Sequence, residues 1–287
     1  MTSTAAPAAE ALAGPSVADD SVGVAALSAV ASLLGADGAR AGPVWLVATV
    51  GEEGMGNLAG ITHALAHPPQ PVAAVIAVEG NYLGRVVNTG VGSIRWRVRY
   101  QGPGGHAWER AGAPSAVHAA VHAAAQIAGL SVTGARFSVN IGSVGGGEAI
   151  NARARAAWFE VDLRAEAEPA LRQLAGQAGR IIAETGRDLT VGVEELGSRP
   201  AGSIAESSPL AAAAALADAG VGYRFDAAST DANAAHAAGI PAVALGVTYG
   251  EGEHTPSEWI KTGPVPGGLM ALAATIRRFW AGEEGTA

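Results

Sequence analysis

The sequence predicts an α/β protein: a split α/β domain with a mostly parallel sheet, interrupted by a smaller α+β domain. Three observations carry this. Short apolar runs bounded by Gly or Pro alternate with helical segments early in the chain, the pattern of strands buried on both faces. Past Gly90 the pattern changes to one-sided alternation, as in S-I-R-W-R-V-R-Y at Ser93 to Tyr100, where one strand face meets water. The last third returns to the first pattern.

Taken in order, Val22 to Leu34 is apolar all round and predicts a buried helix. Val44 to Val50, between Pro43 and Gly51, predicts a strand buried on both faces. Leu58 to Ala66 predicts a helix stopped by Pro68-Pro69, and Val72 to Val78 a second buried strand ending at Glu79-Gly80. The middle part predicts the strand Ser93 to Tyr100, a helix from about Pro114 to Leu130 and a strand Arg136 to Ile141. A glycine loop, a strand (Ala157 to Leu163), a helix (Pro169 to Thr185) and a strand (Asp188 to Glu195) follow. Pro209 to Ala219 then predicts a helix, Ile240 to Gly246 a short buried strand and Gly267 to Trp280 a closing helix. The expected boundaries are 1–91 with 200–287 for the split domain and 92–199 for the inserted one. The first dozen residues are low in complexity and expected to be mobile.

Composition narrows the function. A chain of 287 residues that is 49% hydrophobic can bury real cores. A net charge of −8 argues against nucleic acid and anionic membranes as partners. The absence of cysteine excludes disulfides and thiolate metal sites, leaving His, Asp and Glu as metal donors. Met1 to Gly14 lacks the basic start and apolar core of a signal peptide, and Pro71 to Val78 is too short to span a bilayer, so a cytoplasmic location is expected.

In an open α/β sheet, ligands bind beyond the carboxyl ends of the strands. Glu52-Glu53 and Glu79 follow predicted strands, Asp19-Asp20 precedes the first helix, and E-H-T-P-S-E at Glu253 to Glu258 follows the late strand and carries His254. Successive strand residues point to opposite faces, so Glu52 and Glu53 share a site only if the chain leaves strand geometry. Gly51 and Gly54 permit that. Each acidic group alone reads as a solvated loop. Their recurrence at strand–loop–helix junctions favours a site. Gathered carboxylates repel unless a cation neutralises them, and carboxylates with imidazole suit zinc.

The segments G-P-S-V-A-D-D-S-V-G, A-T-V-G-E-E-G-M-G-N, A-V-E-G, G-P-G-G-H-A, G-S-V-G-G-G-E-A-I-N, V-D-L-R-A-E, S-T-D-A-N and E-H-T-P-S-E-W run in order from Gly14. Together they resemble the motifs of one metallopeptidase family. It includes acetylornithine deacetylase, succinyl-diaminopimelate desuccinylase, glutamate carboxypeptidase, tripeptidase and the aminoacylases. The resemblance implies a zinc-binding α/β domain interrupted by a ferredoxin-like lid that dimerises. It implies two zinc ions per chain, with Co or Mn as substitutes, and a small peptide or N-acyl amino acid as substrate. Asp19 resembles the aspartate bridging the two metals, and Asp20 its partner across a cis peptide. Glu52 resembles the general base, Glu53 a ligand of one metal and Glu79 a ligand of the other. His254 resembles the ligand that completes the Glu53 metal. His106 resembles the lid histidine that stabilises the oxyanion, and Asn151 and Arg164 resemble lid residues holding the substrate carboxylate. Hydrolysis of peptide or N-acyl-amino-acid amide bonds is the implied activity.

The sequence departs from the family at two places. The family carries a further histidine ligand in H-x-D on an early strand, and none of the 18 residues before Asp19 is His. Asp19, Glu53 and His254 could still form one three-ligand site, leaving Asp19 and Glu79 for a second metal. Three readings stay open: a misassigned or truncated start, a catalytically impaired or inactive relic that keeps a dimerising lid and one metal or none, or another histidine standing in. After Asn151 the chain reads A-R-A-R, where the family more often has an apolar residue and proline.

The remaining histidines read as ordinary. His118 and His122 share a four-residue spacing that can bind zinc, but no Glu follows the first as in H-E-x-x-H, so they read as helix-surface or dimer-edge residues. His63 and His67 read likewise, and His236 reads as a helix residue. Asp231 in S-T-D-A-N reads as organising the loop near His254. A nucleotide-binding reading fails because G-E-E-G-M-G-N-L-A-G does not fit G-x-G-x-x-G and its two acids would repel a pyrophosphate.

Overall fold

The computed structural model describes residues 10–36, 42–132, 134–217, 220 and 222–284. Contacts divide the chain into two compact units. One comprises Met1–Glu52, Leu58–Gly90 and Ser203–Ala287, the other Glu53–Asn57 and Val91–Gly202.

The first unit opens with β1 (Ala11–Ala13) and α1 (Val22–Ala36), then α2 (Ala59–Ala66), β2 (Val75–Glu79) and β3 (Arg85–Gly90). The mobility expected for the first dozen residues falls on residues 1–9, outside the described residues, and on Glu10–Leu12. Of these, Ala11 and Leu12 are paired in β1. Helix α1 is not buried all round, as its composition suggests. Ala26 and Val30 face the core while Val24 is 51% exposed. By length and composition Val17–Gly35 could cross a membrane, with mean hydropathy 1.5, yet this stretch carries Asp19 and Asp20.

The predicted buried strand at Val44–Val50 is corrected by the structure. The segment joins no strand ladder among the described residues, and Val44, Trp45, Leu46 and Val50 are exposed. A strand is buried on both faces only inside a sheet that other layers cover, and this segment belongs to no sheet among the described residues.

The second unit holds β4 (Gly92–Gln101), β5 (Gly105–His106), α3 (Ala116–Ala128), β6 (Phe137–Gly146), β7 (Ala152–Arg153), β8 (Ala156–Ala165), α4 (Glu168–Thr185) and β9 (Thr190–Arg199). Its sheet has the order β6-β8-β4-β9, all antiparallel. Alternation places Ile94, Val98 and Tyr100 of β4 and Phe159, Val161 and Leu163 of β8 in one core with α3 and α4. Arg97 and Arg99, on the other face, pair with Glu160 and Glu194.

The chain returns to the first unit with β10 (Gly202–Ser203), α5 (Pro209–Leu216), β11 (Arg224–Ala228), α6 (Ala232–Ala237), β12 (Ala242–Gly246), β13 (Gly250–Glu251), β14 (Trp259–Lys261) and α7 (Val265–Glu284). Its larger sheet runs β10-β3-β12-β2, with β11 also on β3. β12 lies parallel to β2 and antiparallel to β3, and β11 is parallel to β3. A smaller antiparallel sheet, β1-β14-β13, joins the start of the chain to the segment after His254. Val86, Val243 and Leu245 of the larger sheet pack with α1, α5 and α7 in the main core.

Candidate metal centre

Ser16, at φ 57, begins a five-residue turn over Val17–Ser21 that leads into α1. Asp19 and Asp20 leave helical geometry inside it and are joined by a cis peptide bond. Gly51 and Gly54 both take positive φ, at 74° and 54°, so the backbone turns out of extended geometry at Glu52-Glu53. Hydrogen bonds from Leu58 N to Gly51 O and from Gly56 N to Glu53 O, each 2.9 Å, close that turn. Glu79 is the last residue of β2, and His254 follows β13 at φ 62.

One ligand atom each from Asp19, Glu53 and His254 lie within 4.8 Å of one another. Among the described residues no other group of three His, Asp or Glu side chains is so gathered. His254 Nε2 stands 3.4 Å from Asp19 Oδ2.

The electrostatics place more acids nearby. Burial pushes the Asp20 carboxyl up to about 7, helped by the charges of Asp19 and Glu52 and opposed by the amides of Gly80 and Gly23. Burial, then the charges of Asp20, Glu52, Asp19 and Asp231, hold Glu79 well above the usual carboxylate range. A field this negative is what a divalent cation relieves. Carboxylates and one imidazole without sulfur fit zinc.

Asp231 accepts a hydrogen bond from Thr49 Oγ1 at 2.6 Å, on the segment leading to Glu52.

Three further residues near the site were given no role from the sequence. Tyr82 is pushed up to about 12 by burial and then by the charge of Glu79, against the guanidinium of Arg85, which lies 3.8 Å above its ring. The Asn81 side-chain amide donates to Glu253 Oε1. Glu258 is 1% exposed, which is rare for a carboxylate. Two of these could have been suspected from position, since Asn81 follows Glu79-Gly80 and Glu258 closes E-H-T-P-S-E.

In the second unit, His106 and Asn151 come together. The β5–β7 ribbon pairs His106 with Ala152, and Ala107 N donates to Asn151 O at 2.8 Å. Arg164 is not brought to them. It lies near the far end of β8, about 26 Å of strand from Ala156, and its Nε donates to Asp162 at 3.0 Å. His118 and His122 are exposed on α3 and border a cleft of about 240 Å³ with Arg153 and Glu184. His67 Nδ1 lies 3.0 Å from the His63 carbonyl, and both rings are exposed.

The model of the family described as Peptidase family M20/M25/M40 matches residues 5–278. The chain belongs to that family. It is therefore an enzyme of the hydrolase class, acting on peptide or amide bonds. An aminopeptidase PepT from Bacillus cereus shares its fold at 21% identity and a TM-score of 0.77, over 92% of this chain and 71% of that one. A tripeptidase from Staphylococcus aureus does so at 22% and 0.78, with the same coverage. The YxeP protein of Bacillus subtilis, described as a dinuclear metal-binding peptidase of the M20 family, matches at 18% and 0.67, over 88% and 70% of the two chains. No curated protein sequence matches. None of these matches favours the relic reading of this M20 chain.

Proposed function

We propose that this M20 chain is a metal-dependent hydrolase that cleaves peptide or N-acyl-amino-acid amide bonds. The observation that carries the proposal is the convergence of Asp19, Glu53 and His254, with the half-buried acids Asp20 and Glu79 in the same negative field. Asp19, Glu53 and His254 would hold one zinc, and Asp19 with Glu79 would contribute to a second. Bound there, zinc would polarise the scissile carbonyl and lower the pKa of water.

The chain's own residues supply the rest. Glu52 takes the proton from the attacking water as the new C–O bond forms, then gives it to the amine nitrogen as the C–N bond breaks. His106, as donor, offsets charge on the carbonyl oxygen of the tetrahedral intermediate. Asn151, beside His106, holds the substrate carboxylate; Arg164, at the other end of β8 and paired with Asp162, is given no part in it. The second unit acts as a lid and as the surface of a homodimer. Its strand–helix–strand–strand–helix–strand order supports a ferredoxin-like reading. A small substrate and a cytoplasmic setting complete the proposal.

The test is release of free amino acid from tripeptides and N-acetyl amino acids, before and after removal of metal with a chelator and return of Zn²⁺ or Co²⁺. Metal-restored release supports the reading. No release from the metal-loaded protein across both substrate classes overturns it.

A further inference from the structure

Glu258 has no part in the chemistry above, yet it is the most buried acid of the His254 loop, at 1% exposure. A buried carboxylate is costly unless hydrogen bonds replace its water. Here three backbone amides do so. Glu258 Oε1 accepts from Ala18 N at 2.5 Å and from Asp19 N at 2.7 Å, and Oε2 accepts from Ser16 N at 3.1 Å. Its main chain joins in, since Gly14 N donates to Glu258 O at 2.9 Å.

The grip links two distant parts of the sequence. Glu258 lies four residues after His254 and directly before β14, which is paired on both sides with β1 and β13. Asp19 lies in a turn whose Ser16, Asp19 and Asp20 are all outside helical geometry. Such a turn does not fix a side chain by itself. The amide of Asp19 is held directly by the Glu258 carboxylate, and its own carboxylate lies 3.4 Å from the His254 ring.

We infer that Glu258 is a positioning residue for the metal centre: it clamps the turn carrying Asp19 to the loop carrying His254, so that the two side chains stay at coordinating separation. This rests on the proposed metal-binding roles of Asp19 and His254. Groups that orient metal ligands from behind typically change affinity by roughly ten- to a hundredfold when removed.

The experiment measures Zn²⁺ affinity by chelator competition, and the visible absorption of the Co²⁺ form, for the wild type, Asp19→Ala and Glu258→Gln. The Gln variant keeps the size of the side chain but replaces one acceptor by a donor. The inference expects wild-type binding that Asp19→Ala removes, and a Gln variant with a near-wild-type melting temperature, roughly ten- to a hundredfold weaker Zn²⁺ binding and an altered Co²⁺ spectrum. A folded Gln variant with unchanged affinity and spectrum overturns it. A wild type that binds no more tightly than Asp19→Ala overturns the metal reading itself. If the Gln variant does not fold, hydrogen exchange of the metal-free wild type decides. Protected amides at Ala18 and Asp19 uphold the clamp, and amides exchanging at the rate of an open loop overturn it.

Discussion

Asn81 and Glu253 tie together the loops that carry Glu79 and His254: the Asn81 amide donates to the Glu253 carboxylate across 172 positions of sequence. The bond is partly buried, so losing it leaves an acceptor unsatisfied. Asn81→Asp sets one carboxylate against another at that point. The expected result is a loss of about 1–3 kcal/mol of stability and weaker metal binding than in Asn81→Ala. Thermal melts with and without Zn²⁺ check both. An Asp variant as stable as the wild type would show that the two loops are held by other contacts.

Glu52 is proposed to move the proton, and Glu53 beside it to bind metal. Glu52→Gln keeps shape and removes the base. Activity should fall by roughly 10²–10⁴-fold while Zn²⁺ affinity stays near that of the wild type. Glu53→Gln should do the reverse, losing affinity first. Steady-state rates and chelator competition on the two variants separate the roles, and equal loss of affinity in both would merge them.

Much of this was legible because local chemistry and tertiary structure agree. The one-sided alternation of Ser93 to Tyr100 is the solvated strand β4, and the Gly51 and Gly54 flanks do turn the chain at Glu52-Glu53. What was not legible depends on partners far away in sequence. Arg85–Gly90 is strand β3 without a clear alternating pattern, because both of its faces are packed: Val86 lies in the core with α5 and α7, and Val87 in the cluster with Ala232 and Ala235 of α6. Glu258 looks like any exposed acid until the turn of Ser16 to Asp19 closes over it. Composition also misjudged α1, since an alanine- and valine-rich helix reads as buried on every side whether or not a neighbour covers each face.

Gly80 sits where two site-bearing segments cross. A Cβ there would lie 1.9 Å from the carbonyl oxygen of Ala18 and 2.4 Å from Val22 Cγ1. Gly80→Ala must therefore push the end of β2, with Glu79, away from the turn carrying Asp19. Overpacking of this kind costs about 1–3 kcal/mol. Reduced melting temperature together with weaker Zn²⁺ binding is expected. An Ala variant with wild-type affinity would show that Glu79 and Asp19 tolerate separation.

His236 gives a pH dependence of known sign. It lies on α6, and burial lowers its pKa below the ordinary value of 6.5, with Nε2 lacking a hydrogen-bond partner among the described residues. As pH falls below 6.5 the unfolded chain takes up a proton here before the folded chain does. Stability is then lost until the folded ring also protonates. Asp20 works in the opposite direction, because its raised pKa makes stability fall as pH rises from 3.8 toward about 7. The comparison is therefore between wild type and His236→Gln across pH 5 to 8. The variant's melting temperature relative to wild type should rise toward the acid end, and a constant difference would contradict a buried neutral imidazole.

The exposed run Val44–Val50 gives the last prediction. Single exposed apolar residues are ordinary on a protein surface. Here Val44, Trp45, Leu46 and Val50 are exposed within one segment that joins no ladder among the described residues, with Val50 at 79%. Exposed apolar segments rich in strand-forming residues and without ladder partners are templates for pairing with another chain. A charge placed at the most exposed position should block that pairing at little cost to the fold, since substitutions away from the core change stability by about 0.5 kcal/mol or less. Val50→Lys should then remain monomeric or dimeric in light scattering at concentrations where the wild type forms larger species, with an unchanged melting temperature. Identical scattering from both proteins would mean that this run is covered in solution, and a lowered melting temperature would mean that what covers it is part of the folded chain.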